Sequence, residues 1–268
     1  MENRAAATVK DSPGKTALVT GASVGLGRDL AELFARDGHH LVLTARNESQ
    51  LMELAAKLRD QYRVNIDVIV QDLSAAGAAD RIFGQLGARP IDYLVNNAGF
   101  GTHGPFAEAE VGSQLAMLQV NIVALTHLTR LILPGMLERG SGRIMNMASV
   151  AAFLPGPLMA VYYATKAYVL SFSEALASEI AGSGVTVTAV CPGPTKTEFQ
   201  LRAGIAESPL FQRGVMTSPQ VARIGYDAMM HGRRSVVTGF SNKISAMGTR
   251  FLPRAASAAI AKKLNENR

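Results

Sequence analysis

Three residues near the middle of the chain have the types and the spacing that proton-transfer chemistry requires. Tyr162 and Lys166 lie four positions apart in the segment Tyr-Tyr-Ala-Thr-Lys, and Ser149 precedes Tyr162 by 13 positions. Residues four apart on a helix share one face, so the Lys166 ammonium group can sit beside the Tyr162 phenol and lower its pKa. Such a phenol is a general acid, and the Ser149 hydroxyl could hydrogen-bond the reacting substrate oxygen. The pattern predicts interconversion of a carbonyl and an alcohol, which also requires a hydride donor.

A neighbouring tyrosine leaves an alternative open. Tyr163 lies three positions before Lys166, and residues three apart on a helix are also neighbours. The four-residue spacing and the distance from Ser149 favour Tyr162 as the acid. We therefore expect Tyr163 to be an aromatic residue that packs or lines the substrate site.

A glycine-rich turn near the N-terminus could hold the hydride donor. Residues 15–21 form a short buried-strand pattern, and a helical apolar pattern begins at Leu30. Gly21 and Gly25 between them would permit a tight turn and close approach of the backbone to a pyrophosphate at the helix N-terminus. Gly27 would let the helix pack closely on the strand. Taken alone, the spacing Gly-x3-Gly-x-Gly also fits an ordinary tight turn.

The elements that must position these residues alternate along the chain. Seven segments are buried-strand candidates: 17–19, 41–44, 66–70, 91–95, 144–147, 185–190 and 236–238. Helical patterns separate most of them, at 25–37, 48–61, 75–87, 114–139, 160–181 and 219–231. The alternation predicts an α/β fold, a doubly wound Rossmann fold with a mostly parallel seven-stranded sheet and helices on both faces. Ligands bind such sheets beyond the carboxyl ends of the strands, where Gly21, Asn96, Ser149 and Pro192 would converge.

The end of the second strand candidate favours one nicotinamide cofactor. An acidic residue there would bind the ribose 2′-hydroxyl of NAD, whereas an arginine accommodates the 2′-phosphate of NADP. The chain has Arg46 at this point and no acidic residue before Glu48. NADP(H) is therefore expected over NAD(H), with the alternative that Arg46 is only a solvated surface charge.

The motifs follow one another in an order that resembles a known family. They are Thr20-Gly-Ala-Ser-Val-Gly-Leu-Gly27, Asn96-Asn-Ala-Gly99, Asn121, Ser149, Tyr162-x3-Lys166 and Pro192-Gly193. Their order and spacing resemble the motif series of the short-chain dehydrogenase/reductases over about residues 15 to 240. The C-terminal segment also resembles the tail of the family's bacterial DltE-like branch.

The resemblance implies roles for further residues. Asn121 would be a fourth catalytic member beside Ser149, Tyr162 and Lys166, holding a water that relays protons to Lys166. Lys166 would also bind the nicotinamide ribose, and Asn96 would support the sheet. The implied cofactor-binding positions are Gly21, Ser23, Val24, Gly25, Leu26, Gly27, Arg46, Asp72, Leu73, Asn97, Ala98, Gly99, Tyr162, Lys166, Pro192, Gly193, Thr195 and Thr197.

Composition narrows the class of protein. The 268 residues are 48% apolar, enough for a single domain over 14–268 after a flexible tail at 1–13. The single cysteine, Cys191, cannot form an intrachain disulfide, and no signal peptide is visible, so we expect a cytoplasmic protein with no membrane span. The net charge of +6 comes from scattered residues, so no nucleic-acid partner is expected. The five histidines lack ligand-spaced partners, so no metal is expected.

Apolar segments of the chain predict a substrate lid and a homo-oligomer. Residues 195–218 contain scattered apolar side chains and are expected to form a substrate lid, followed by a helical tail at about 242–268. A predominantly apolar substrate would face the lid from Phe100, Phe106, Phe153, Leu154, Leu158 and Met159, unless these residues pack in the core or at an interface. The apolar helices at 114–139 and 160–181 predict a homodimer or homotetramer.

Alternative functions remain open at this stage. The chain could be an NADP-sensing binding protein without turnover, or an epimerase or dehydratase that uses the same tyrosine and lysine. A small-molecule carbonyl or alcohol substrate is expected, and its identity is not encoded in the fold.

Overall fold

The computed structural model describes residues 14–204 and 215–266. The predicted tail at 1–13 and the middle of the predicted lid, including Ile205, Leu210 and Phe211, lie outside the described residues.

Seven parallel strands form one sheet in the order β3-β2-β1-β4-β5-β6-β9. The strands are β1 (Thr16–Thr20), β2 (His40–Ala45), β3 (Ile66–Val70), β4 (Tyr93–Asn96), β5 (Gly142–Met147), β6 (Val185–Cys191) and β9 (Ser235–Val237). A separate two-stranded sheet pairs β7 (Thr195–Lys196) with β8 (Met216–Thr217). The predicted fold class and all seven predicted strands of the main sheet are confirmed, with ends displaced by at most two residues.

Helices cover both faces of the sheet. They are α1 (Gly25–Arg36), α2 (Glu48–Tyr62), α3 (Ala78–Leu86), α4 (Val111–Leu118), α5 (Leu125–Glu138), α6 (Ala160–Glu179), α7 (Phe199–Ala203), α8 (Ser218–Met230), α9 (Phe240–Gly248) and α10 (Arg254–Glu266). One core cluster joins the sheet to α1, α2 and α8 through side chains such as Phe34, Leu51 and Tyr226. The other joins it to α3, α5 and α6 through Ile82 and Leu128. Helices therefore shield both faces of the sheet from solvent, and β1 is buried at every position.

The chain reverses its winding between β1 and β4. β2 and β3 continue the sheet on one side of this pair, and β5, β6 and β9 continue it on the other. The loops after β1 and β4 therefore leave the sheet in different directions and open a crevice at its carboxyl edge.

The long helix predicted at 114–139 is interrupted. A π-helical segment, Gln119–Ala124, joins α4 to α5. Val111–Glu138 is long and apolar enough to cross a membrane by length and composition alone, as core helices often are. Met117, Leu128 and Met136 within it are fully buried in the protein, whereas Val111, Leu115 and Val123 are exposed.

Candidate active site

A cavity of about 660 Å³ lies at the carboxyl edge of the sheet. The β1–α1 turn and the ends of β2, β4, β5 and β6 supply its inner wall, and α9 and α10 supply part of its outer wall. Among the predicted site residues, those lining the cavity are Gly21, Ser23, Val24, Leu26, Arg46, Asp72, Leu73, Asn97, Ala98, Gly99, Ser149, Tyr162, Lys166, Pro192, Gly193, Thr195 and Thr197. Gly25, Gly27 and Asn121 are not among the residues that line it.

The glycine turn has the geometry of a phosphate-binding backbone. Gly21 and Gly25 have φ values of +63° and +55°, a region that side-chain-bearing residues rarely adopt. A Cβ atom on Gly27 would collide with the carbonyl oxygen of Gly21, so only glycine lets α1 start this close to β1. The N-terminus of α1 therefore faces the cavity with an accessible backbone, where a pyrophosphate fits.

Two side chains hold this turn against the end of β4. Thr20 Oγ1 accepts hydrogen bonds of 3.0 Å from the backbone N–H groups of both Asn97 and Ala98. Asn97 Nδ2 donates to the carbonyl oxygens of Thr20 and Gly21 at 2.9 and 3.2 Å. Asn97 thus stabilises the turn while it lines the cavity. Asn96 points into the core instead, where it donates to Thr129 and Asn146.

Arg46 follows β2 at the other end of the crevice. It is exposed and lines the cavity, and it forms no hydrogen bond or ion pair with any residue of 14–204 or 215–266. Asn47 beside it caps α2 by accepting from the N–H of Gln50 at 3.0 Å. After the neighbouring strand β3, Asp72 accepts from the N–H and the hydroxyl of Ser74 at 2.9 and 2.8 Å. The guanidinium group is therefore available to an anion.

The three residues singled out by type converge on the cavity floor. Ser149 follows β5, and its Oγ accepts from the N–H of Ala151 at 3.1 Å. Tyr162 and Lys166 lie one turn apart on α6, with Lys166 Nζ 5.8 Å from the centre of the Tyr162 ring. Nζ donates to the carbonyl oxygen of Met147 at 2.8 Å, which draws the ammonium group toward the end of β5.

Burial sets the protonation of both groups on α6. Burial raises the pKa of Tyr162 to about 12, and the neighbouring Ser149 hydroxyl opposes this rise. Burial lowers the pKa of Lys166 to about 8. The expected lowering of the phenol's pKa by Lys166 is therefore not found in this state, because Nζ bonds to Met147 and desolvation of Tyr162 dominates. The phenol therefore keeps its proton at neutral pH.

Asn121 lies in the π-helical segment and is 1% exposed. Its Nδ2 donates to the carbonyl oxygen of Phe100 at 2.9 Å and to Thr165 Oγ1 at 3.0 Å, while its Oδ1 accepts from the N–H of Phe100 at 3.1 Å. A Cβ atom on Gly99 would lie 3.0 Å from Asn121 Oδ1 and 3.3 Å from Lys166 Nζ. Asn121 therefore fixes the loop after β4 and reaches the same small space as Lys166.

The C-terminal helices contribute residues that the sequence did not indicate. Asn242, Ser245, Ala246 and Thr249 line the cavity from α9 and the turn after it, and Leu264 and Asn265 line it from α10. A Cβ atom on Gly193 would collide with the Asn242 side chain, so α9 packs directly on the loop after β6. No local pattern marks these residues, because small and polar side chains in a tail are usually solvent-exposed.

Asn265 joins α10 to the substrate end of the cavity. It is 6% exposed, accepts from the Tyr163 hydroxyl at 3.2 Å and donates to the carbonyl oxygen of Pro157 at 2.8 Å. Its backbone carbonyl lies 2.8 Å from His103 Nε2. Tyr163 is thus a cavity-lining aromatic whose hydroxyl is engaged by α10.

The apolar residues expected around a substrate divide into two groups. Phe100, Leu154 and Met159 line the cavity, and Phe199 from α7 packs on Tyr162 with ring centres 5.3 Å apart. The other expected residues are elsewhere: Phe106 and Leu158 line a separate depression, and Phe153 packs against the core near the end of β5. Phe153 was misplaced because its 3-10 helix, Val150–Phe153, turns it away from the cavity.

Within residues 14–204 and 215–266, no group of three histidine, cysteine or acidic side chains could hold a metal ion. Cys191 is buried at the end of β6, and burial raises the pKa of its thiol to about 12.

Comparison with known proteins places this arrangement in a family. Residues 15–207 match the family model for short chain dehydrogenase. The chain is 38% identical over 246 residues to the ketoacyl reductase HetN of Nostoc sp., which covers 89% of this chain and 83% of that protein. Some curated relatives are longer, and the chain spans 59% of the length of one that it matches at 35% identity.

Solved structures agree in fold. A short-chain dehydrogenase from Sphingobium yanoikuyae in complex with NADPH superposes with a TM-score of 0.78 at 35% identity, covering 88% of this chain and 94% of that one. A short-chain dehydrogenase/reductase from Burkholderia phymatum in complex with NAD gives a TM-score of 0.79 at 27% identity, covering 87% and 92%. Neighbours of this fold therefore occur with either nicotinamide cofactor.

Proposed function

The chain belongs to the short-chain dehydrogenase family, whose members are oxidoreductases, and from that premise we propose that it is an NADP(H)-dependent enzyme that interconverts a carbonyl and a secondary alcohol. The observation that carries the proposal is the convergence of Ser149, Tyr162 and Lys166 on one cavity floor beside the glycine turn. A phosphate-binding backbone and a buried proton donor in one cavity are the two requirements of reversible carbonyl reduction.

The residues present fit a dinucleotide. The positive φ values of Gly21 and Gly25 shape the turn for a pyrophosphate. Gly27 has no Cβ atom, so α1 can begin close to the end of β1. Arg46 supplies an unpaired guanidinium group where the ribose of an adenine nucleotide lies in such folds, and it would pair with a 2′-phosphate. These features favour NADP(H) over NAD(H).

Each of the four candidate catalytic residues would have a separate role in the reaction. The bound nicotinamide would supply or accept the hydride. Tyr162, which is protonated at neutral pH because burial raises its pKa, would donate that proton to the carbonyl oxygen. Ser149 would hydrogen-bond the same oxygen and polarise the carbonyl. Lys166 would orient the cofactor ribose, and Asn121 would maintain the loop that separates Lys166 from solvent.

The lining of the cavity indicates an apolar substrate. Arg46 follows the end of β2, whereas Phe100, Met159 and Phe199 pack around Tyr162 and Leu154 lines the same cavity. A sugar phosphate would place its charge against these apolar side chains, which costs free energy. We infer a ketone or a related carbonyl compound with a largely hydrocarbon body.

The test is a screen of apolar ketones and their alcohols with NADPH or NADP, following the nicotinamide absorbance in the wild type and in Tyr162→Phe. Turnover in the wild type and its loss in Tyr162→Phe are expected. NADPH binding without turnover on any carbonyl would support a sensing protein instead. Conversion of a substrate without net change in nicotinamide absorbance would support an epimerase or dehydratase.

A further inference from the structure

The basic residues form no dense run, but the excess of basic over acidic residues lies in the last 38 positions, which corrects the expectation that the net charge comes from residues scattered along the chain. Residues 231–268 carry eight basic residues and one acidic residue, whereas residues 1–230 carry 19 basic and 20 acidic residues. The basic residues are Arg233, Arg234, Lys243, Arg250, Arg254, Lys262, Lys263 and Arg268. The C-terminal segment therefore has a net charge of +7 and the rest of the chain a net charge of −1, which together give the +6 of the whole chain.

The same segment exposes large apolar side chains. Phe240, Ile244 and Met247 on α9 are 80%, 56% and 56% exposed, and Phe251 in the turn that continues α9 is 87% exposed. Their spacing of four, three and four residues places them on one side of the helix. The opposite side packs inward, where Ala246 is buried and lines the cavity.

The last helix repeats this arrangement. Ile260 and Leu264 on α10 are 48% and 42% exposed, with Lys263 between them, while Asn265 faces inward. Leu264 and Asn265 also line the cavity. Both C-terminal helices thus expose apolar and basic residues and also border the cavity, and Leu264 does both.

Charge decides which partner suits this surface. A symmetric contact with a second copy places the same patch against itself and would bring two sets of basic residues together. An anionic lipid surface instead attracts basic residues and accepts aromatic and aliphatic side chains at the boundary between headgroups and acyl chains. The combination of exposed Phe240 and Phe251 with excess positive charge is complementary to that surface.

We propose that α9, the turn at Thr249–Phe251 and α10 form a lipid-docking surface, by which the protein binds the interface of an anionic bilayer without crossing it. The inner sides of these helices border the cavity, so an apolar substrate dissolved in the bilayer would reach the active site from this side. This consequence for access depends on the proposed function, whereas bilayer binding does not.

The experiment measures co-sedimentation of the full chain with vesicles of phosphatidylcholine alone and of phosphatidylcholine containing phosphatidylserine. Binding to the anionic vesicles that weakens with salt, and little binding to phosphatidylcholine alone, is expected. The double variant Phe240→Ser with Phe251→Ser should weaken binding by roughly tenfold or more, because two aromatic side chains no longer enter the interface. Phe106→Ser, which removes an equally accessible phenylalanine outside this surface, should leave binding unchanged.

A charge variant gives an independent measure. Lys263→Gln should weaken binding to anionic vesicles by about fivefold, while Lys57→Gln, an exposed lysine on α2, should not. Equal binding of wild type and the double phenylalanine variant would overturn the proposal. A change in molecular mass by light scattering in that variant would also overturn it, since the surface would then be a contact between copies. NADPH titration of each variant separates these outcomes from failure of the cofactor site.

Discussion

Tyr162 and Tyr163 are adjacent on α6 but occupy different surroundings, and this difference favours Tyr162 as the proposed proton donor. The Tyr162 ring lies near Lys166 Nζ and the Ser149 hydroxyl, whereas the Tyr163 hydroxyl is bonded to Asn265. Tyr162→Phe should lower kcat by about 100-fold or more, because only the proton donor is removed, and should change the NADPH Kd by no more than a few-fold. Tyr163→Phe is the matched control and should retain most of the activity. The reverse pattern would transfer the role to Tyr163.

The burial of Lys166 should lower the free energy of unfolding of the protein at neutral pH. Its pKa is lowered by burial from 10.5 to about 8, so between these values the unfolded chain binds a proton that the native protein lacks. The contribution of Lys166 to the free energy of unfolding therefore decreases as pH falls from about 10.5 to 8. Lys166→Met should abolish turnover yet be at least as stable as the wild type at pH 7. The advantage in free energy of unfolding should shrink between pH 8 and 10.5, measured by urea unfolding of both proteins. A variant that is less stable than the wild type throughout this range would contradict the argument.

Arg46 should discriminate between the two nicotinamide cofactors. Removing an unpaired guanidinium group that contacts a 2′-phosphate should weaken NADPH binding by about 10- to 100-fold, the value of one charge-assisted contact, and should leave NADH binding nearly unchanged. Fluorescence titration of Arg46→Ala with both cofactors measures this, and Lys57→Ala on α2 controls for a general loss of positive charge. Equal losses for NADPH and NADH would reduce Arg46 to a surface charge.

The candidate catalytic residues could be identified from the sequence because their types are chemically restrictive. Tyr162, Lys166 and Ser149 have a spacing that few structural roles require, and Gly27 is a position where only glycine fits. The raised pKa of Tyr162 could not be predicted from the sequence, because the desolvation of the phenol depends on all the residues packed around the ring. Asn265 was equally hidden, since its partners are more than 100 positions away in sequence.

At the scale of elements, strands were predicted better than the helical interior of the chain. Both faces of the sheet are covered, so each strand is a short apolar run whose ends are easily identified. The π-helical segment at Gln119–Ala124 was missed because it changes the backbone register without changing the apolar composition. The small sheet of β7 and β8 was missed because two-residue strands have no periodicity.

Asn265 hydrogen-bonds α10 to the substrate end of the cavity, in addition to the packing of the buried Ala261 and Ser257. Asn265→Ala removes the bonds to Tyr163 and Pro157 while the backbone contact with His103 remains. The helix should then open more often, so its amide protons should exchange faster and the KM for an apolar ketone should rise several-fold with the NADPH Kd unchanged. Lys263→Ala, on the exposed side of the same helix, is the control. Unchanged exchange and KM in Asn265→Ala would show that α10 is held by other contacts.

The whole molecule exposes a second apolar surface, distinct from the C-terminal one. Val111, Leu115 and Val123 along α4, the π-helical segment and the start of α5 are 69%, 60% and 45% exposed, and Tyr168 on the neighbouring α6 is 37% exposed. The acidic and basic residues of the chain are nearly balanced outside the C-terminal segment, so two copies could meet here without charge repulsion. A self-complementary contact of these helices would bury the exposed side chains from both copies.

We therefore expect a homo-oligomer assembled through α4, α5 and α6. Leu115→Glu would place a carboxylate in the dry centre of that contact and should convert the protein to monomers at micromolar concentration, measured by light scattering. Ile244→Glu makes the same change in charge on the C-terminal surface and should leave the mass unchanged, because that surface would face lipid rather than a second copy. If Ile244→Glu dissociates the assembly and Leu115→Glu does not, the C-terminal surface is the contact between copies and the surface on α4, α5 and α6 is not. Acidic residues of the neighbouring copy would then have to neutralise the basic C-terminal segment.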